Sequence, residues 1–372
     1  MYKNSKPMRS FLKYFLLIIC FTFNIESLVL ASGGSPPPTK LNTSLELLEK
    51  GKLLFLKFCA HCHGSRGGGD GFNAEFLDKD PAEFSNPKFL AKRSNEKLFR
   101  VISVGGAKVK KSHLMPPFGY TLSEKEIWSL VSFIRYLGND KSLVNVPSNV
   151  QSERPRKSVL TKPDMLSFSK WFDEKGKKKK QTDSGKTLVM NKKSCLGCHQ
   201  LNDEGGRIGP SLNRSSFNYK PEWLYAWISN PQNFRPNTKM PNLGLKPEEA
   251  RVITAFLISF QPEEEDEKFK IHEGWKQYLS SAGDPKRGEK IFHDPEGIAN
   301  CSKCHLVKGR GGKIGPDLTF IGTSRTGKFL LESILNPSAV ITHGYQTVMI
   351  LTKNRKLITG IKKNEDESGI NI

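Results

Sequence analysis

Six of the seven cysteines in this 372-residue chain fall in three copies of one pattern: Cys59-Ala60-His61-Cys62-His63, Cys195-Leu196-Gly197-Cys198-His199 and Cys301-Ser302-Lys303-Cys304-His305. At this composition about 0.003 chance matches to Cys-x-x-Cys-His are expected. The three copies therefore fix three points around which the chain must fold. The seventh cysteine, Cys20, lies in an apolar N-terminal stretch, which leaves no cysteine for a disulfide.

The spacing has a chemical reason. Two thiols three residues apart can each bond one vinyl group of the same haem, and the next residue is then held so that its imidazole meets the iron. Cys59, Cys62, Cys195, Cys198, Cys301 and Cys304 are the candidate attachment residues, and His63, His199 and His305 the candidate iron ligands, for three covalently bound haem c groups. Zinc knuckles bring two cysteine half-sites together, and thiol redox pairs need no histidine after them, so both alternatives fit the triple pattern poorly. An oxidising compartment favours disulfides, which this chain avoids.

Residues 1–31 read as a secretory signal. Lys3, Lys6, Arg9 and Lys13 form a basic start, Tyr14 to Phe23 is nearly all apolar, and Val29-Leu30-Ala31 offers a cleavage site. The competing reading is an uncleaved N-terminal membrane tether, but Asn24 and Glu26 break the apolar run short of the ~20 residues a spanning helix needs. Ile19 before Cys20 argues against a lipidated cysteine. The expected location is the bacterial periplasm.

Gly51 and Phe55, Gly185 and Val189, and Gly288 and Phe292 precede the three motifs as pairs at i and i+4, each sharing one helical face. Ser123 with Glu126 is a capping-box signature, and Ile127, Leu130, Val131 and Ile134 follow as one helical stripe that stops at Gly138. Pro247, Glu248 and Glu249 open a second such helix, with Val252, Ile253, Phe256, Leu257 and Phe260 on its apolar face.

In this arrangement the chain resembles the cytochrome c family. There, a glycine and an apolar residue let the N-terminal helix cross the C-terminal helix closely. The resemblance implies that Met115, in Leu114-Met115-Pro116-Pro117, and Met240, in Lys239-Met240-Pro241, are the second axial ligands. His113 is the rival in the first module. Histidine and methionine ligation raises the reduction potential, because the soft sulfur favours ferrous iron.

The expected fold class is all-α: three tandem haem modules at 44–140, 184–260 and 283–372, joined by solvated connectors at 141–183 and 261–282. The second and third modules are an internal repeat. Aligning His199 with His305 places Gly209-Pro210 on Gly315-Pro316 and Asn230-Pro231 on Asn336-Pro337, with 11 identities in 33 positions.

The repeat then fails. Gln346 falls opposite Met240, and Thr347 to Leu351 and Leu357 to Ile361 read as two strands of a short hairpin instead of a closing helix. The third module resembles a haem-binding domain of planctomycete-type bacterial proteins, in which a Met-Pro and a closing helix follow the strands. A truncated reading frame, a partner chain covering the third module, and an open sixth position are the competing explanations. His343 and Met349 are weak candidates for the sixth ligand.

The net charge of +21 becomes +18 without residues 1–31, and six haem propionates lower it toward about +12. No nucleic-acid-reading motif accompanies it, so the basic exterior points to steering toward redox proteins with acidic docking faces. The leading expectation is an electron relay rather than an enzyme. The alternatives are a haem subunit of a larger respiratory or dehydrogenase complex, and a peroxidase using an open third haem.

Overall fold

The computed structural model describes residues 40–140, 144–155, 159–212, 219–260, 273–280, 283–362, 364–366 and 369–372. The expected signal and most of the 261–282 connector lie outside them. The described chain is mostly helical, as expected.

The first module contains α1 (Lys40–Phe58), α2 (Ala60–His63), α3 (Pro87–Ala91), α4 (Asn95–Val104) and α5 (Glu124–Leu137). The crossing of α1 and α5 organises it. A Cβ on Gly51 would lie 2.0 Å from the Ser129 carbonyl oxygen, so only glycine lets the two backbones meet. One turn on, Phe55 is fully buried and its ring centroid is 5.3 Å from that of Phe133. Leu130 and Val131 are likewise fully buried, and each such side chain contributes about 1.5–3 kcal/mol. The expected capping box starts α5: the Ser123 hydroxyl accepts from the Glu126 amide at 3.2 Å, and the Glu126 carboxylate accepts from the Ser123 amide at 3.1 Å. Arg154 donates to both oxygens of that carboxylate at 2.8 and 2.7 Å, pinning the chain after α5 back onto it.

The second module contains α6 (Lys162–Trp171), α7 (Lys179–Thr187), α8 (Pro221–Ser229) and α9 (Pro247–Ile258). It repeats the crossing, since a Cβ on Gly185 would lie 2.0 Å from the Val252 carbonyl oxygen. The expected connector at 141–183 is corrected here. Its second half is α6, which continues into a π-helical turn at Phe172–Gly176, and then the start of α7. Thr161 and Asp164 cap α6 reciprocally, and Phe168 and Phe172 are buried in the module's core. Phe168 stacks on Tyr225 at 4.2 Å. These two phenylalanines at i and i+4 drive the segment onto the core, while Lys177 to Lys180 stay exposed.

In the third module α10 (Glu273–Ser280), α11 (Pro285–His293), α12 (Ile321–Ser324) and α13 (Gly327–Leu335) accompany the strands β1 (Leu306–Val307) and β2 (Arg310–Gly311). The helix α10 also corrects the 261–282 connector, because it is regular structure lying against α13. The expected hairpin forms at the expected residues: β3 (Thr347–Leu351) pairs antiparallel with β4 (Leu357–Ile361), Thr347 opposite Ile361. A further hairpin, β5 (Asn364–Asp366) with β6 (Gly369–Asn371), was not foreseen. Among the described residues nothing lies within 4 Å of a Cβ built on Gly288. The helix α11 thus carries the crossing glycine without the crossing.

Candidate functional site

The three motifs close into the same turn. The amides of His63, His199 and His305 donate to the carbonyls of Cys59, Cys195 and Cys301 at 3.0, 2.9 and 3.0 Å. Each pair of cysteine side chains therefore projects from one turn of backbone with the imidazole beside it. The internal repeat survives bond by bond. Gly209 to Cys198 matches Gly315 to Cys304, and Leu212 to Gln200 matches Leu318 to Leu306, all four at 2.8 Å.

The imidazoles are held alike. His63 Nδ1 donates to the Ala82 carbonyl at 2.9 Å, His199 Nδ1 to that of Pro210 at 2.7 Å, and His305 Nδ1 to that of Pro316 at 2.9 Å. A ring that donates from Nδ1 carries its lone pair on Nε2, the tautomer an iron ligand requires. The Gly-Pro pair of the repeat acquires a purpose here. The proline carbonyl takes the proton, and a Cβ on Gly209 or Gly315 would lie 2.4 or 2.8 Å from the imidazole. By contrast His61 donates from Nε2 to the Lys57 carbonyl at 2.9 Å, which ties it to α1.

No disulfide joins the six motif cysteines. Burial pushes the Cys59 thiol up to about 12, with Cys62 adding to it, and pushes Cys195 to about 11. Burial first, then the neighbouring Cys62 and Cys195, pushes Cys198 to about 12. Cys62 and Cys198 thus lie near each other although they belong to different modules.

Both Met-Pro methionines are set against the cores of their own modules. The Met115 carbonyl accepts from the Gly106 amide at 3.0 Å. The Met240 sulfur accepts from Trp227 Nε1 at 3.2 Å, and the Met240 carbonyl accepts from Gln232 Nε2 at 2.8 Å. Trp227 stacks at 5.2 Å on Trp223, whose own Nε1 is buried without a hydrogen-bond partner among the described residues. Sequence reasoning passed over this pair, although Trp223 and Trp227 share a helical face at i and i+4.

The rivals are placed elsewhere. His113 Nε2 donates to the Met190 carbonyl of the second module at 3.3 Å. His343, the weak candidate for the third site, donates to the Ile208 carbonyl of the second module at 3.1 Å. Met349 sits on β3 opposite Thr359 and is 69% exposed.

The donor sets fit haem c. Each offers two thiols and an imidazole in the required tautomer, and the orphaned indole of Trp223 suits an anionic acceptor such as a propionate. Comparison with known proteins agrees. The family model described as cytochrome c oxidase, cbb3-type, subunit III matches residues 46–134, and the one described as cytochrome c matches residues 182–261. Cytochrome c of Chlamydomonas reinhardtii is 33% identical over 100 residues, which span 24% of this chain and 85% of that protein. A chain of the Kuenenia stuttgartiensis reducing HAO-like protein complex aligns with 57% of this chain and 96% of its own length, at 20% identity and a TM-score of 0.20, too loose to imply a common fold.

This chain belongs to the cytochrome c family. It binds haem c covalently and serves haem-based electron transfer. Among the described residues no helix is long and apolar enough to cross a membrane.

Proposed function

We propose that the chain is an exported triheme cytochrome c that relays single electrons between redox partners in the bacterial periplasm. The observation that carries this reading is the threefold recurrence of one site: the same turn, the same two thiols, and a histidine anchored through Nδ1 to a backbone carbonyl. On this reading Cys59 and Cys62, Cys195 and Cys198, and Cys301 and Cys304 attach the haems. His63 with Met115 and His199 with Met240 would ligate two irons, and His305 would ligate the third. Bound there, haem c supplies a one-electron ferric/ferrous couple.

The protein's part is to hold ligands and exclude water. The carbonyls of Ala82, Pro210 and Pro316 orient the imidazoles and raise their basicity. Trp227 withdraws electron density from the Met240 sulfur and so favours the reduced state at the second site. Trp227→Phe is expected to lower that site's potential by on the order of tens of millivolts and leave the first site unchanged. A spectroelectrochemical titration in which no site moves would detach Trp227 from the ligand. The basic surface suits partners with acidic docking faces, whose encounter would slow as salt screens the charge.

A second reading, a subunit of a larger complex, is favoured by one observation: α11 offers Gly288 to nothing within 4 Å among the described residues. On that reading a helix from a partner chain closes the third site. Carbon monoxide titration of the dithionite-reduced protein tests both. No binding at neutral pH supports a closed relay. Binding at one haem in three places the open site in the third module and favours the partner-covered or peroxidase reading.

A further inference from the structure

We propose that Asn73 clamps the first and second haem-attachment turns edge to edge, so that Cys62 and Cys198 lie on two sides of one bridging side chain. The inference rests on the reading that both turns carry haem. Asn73 is fully buried. Its Nδ2 donates to Cys62 Sγ at 3.3 Å and to the Gly197 carbonyl at 3.0 Å, while its Oδ1 accepts from the Arg207 amide at 2.7 Å. One amide thus ties the second cysteine of the first motif to the residue before the second cysteine of the next. A buried amide engaged at both ends cannot turn over without stranding a donor against Arg207 and an acceptor against Gly197.

The surrounding backbone is shaped for this contact. A Cβ on Gly197 would lie 2.1 Å from the Leu114 carbonyl oxygen, beside the Met115 loop of the first module. A Cβ on Gly206 would lie 2.7 Å from both Asn73 Oδ1 and the Gly197 carbonyl oxygen. The repeat supplies an internal control. Gly206 corresponds to Gly312, so that glycine belongs to the turn itself, but Gly197 corresponds to Lys303, which is exposed. The turn carries a bare backbone where the first module docks, and a charged side chain where solvent meets it. Arg207, whose amide is the clamp's third partner, stacks over Phe76 at 4.0 Å.

A protein path between the two sites runs from Cys62 Sγ across 3.3 Å to the Asn73 amide, across 3.0 Å to the Gly197 carbonyl, and through one peptide bond to Cys198. A single electron is all that crosses. With haem c held at both turns, one site would be oxidised as the other is reduced, with no bond made or broken and no proton moved. Asn73 is a positioning residue that fixes the separation and angle of the two sites.

Circular dichroism in the Soret region of the matured full chain reads that geometry, because two strongly absorbing chromophores held rigidly close together give a bisignate band. Wild type is expected to show the couplet, and a Cys301→Ala/Cys304→Ala chain, with only the first two sites attached, is expected to keep it. Asn73→Leu should reduce the couplet at least twofold at an unchanged haem count by the pyridine method. A couplet missing from wild type or from the Cys301→Ala/Cys304→Ala chain overturns the inference whatever Asn73→Leu does, and so does a couplet that Asn73→Leu leaves intact. A haem count below three in wild type is a separate result and overturns the triheme reading instead.

Discussion

Gly185→Val is expected to unfold the second module at temperatures the wild type survives. The Cβ position lies 2.0 Å from the Val252 carbonyl oxygen and 2.7 Å from the Phe256 Cβ. Neither neighbour is the loose end of a side chain, so relief requires α7 and α9 to separate. Overpacking against backbone costs about 3 kcal/mol or more, a large part of the ~5–15 kcal/mol that holds a domain. The transition should fall by about 10–20 °C. Gly51→Val should do the same to the first module, where the obstacle is the Ser129 carbonyl. Gly288→Ala is the control. With nothing within 4 Å among the described residues, it removes a flexible residue from a helix and should stabilise the isolated chain by about 0.5–1 kcal/mol. Differential scanning calorimetry checks all three, and equal losses at Gly185 and Gly288 would contradict the crossing as the organising contact.

Met240→Ala is expected to convert the second site from one that refuses carbon monoxide to one that binds it stoichiometrically in the reduced state. The thioether that closes the site is removed, and alanine offers no donor in its place. Two further effects follow from the surroundings. Trp227, which is half-buried, loses its acceptor at 3.2 Å, and a buried donor left unpaired costs about 1–3 kcal/mol, so the cost here falls at or below the low end. The reduction potential of that site falls, because the soft sulfur that favours ferrous iron is gone. Wild type, titrated in parallel, gives the baseline. A variant that binds no more carbon monoxide than wild type, with its haem retained, would remove Met240 from the iron.

What the sequence made legible was whatever local patterning determines. The Ser123 capping box and the strands at 347–351 and 357–361 stand where local patterning places them, and Gly51 and Gly185 make the helix crossings that the cytochrome c resemblance implies. The Gly-Pro pair was visible as a repeat, but its role emerged only with the imidazole lying against the glycine and donating to the proline carbonyl. The helix α6 was hidden by composition. Lysines, serines and prolines around 141–183 look like a connector, and Phe168 reveals its role only beside Tyr225. Asn73 was beyond reach for a different reason. Its partners Gly197 and Arg207 are 124 and 134 residues away, and one polar residue carries no periodicity to announce them. His343 shows the same limit, since its position near His305 in sequence said nothing of its bond to Ile208.

The mass of the matured protein after denaturation tests the central claim most directly, because only covalently attached haem survives that treatment. The account predicts a single species carrying the polypeptide plus three haems, reduced to two by Cys301→Ala/Cys304→Ala. A mature wild-type chain that carries two haems or fewer would contradict it.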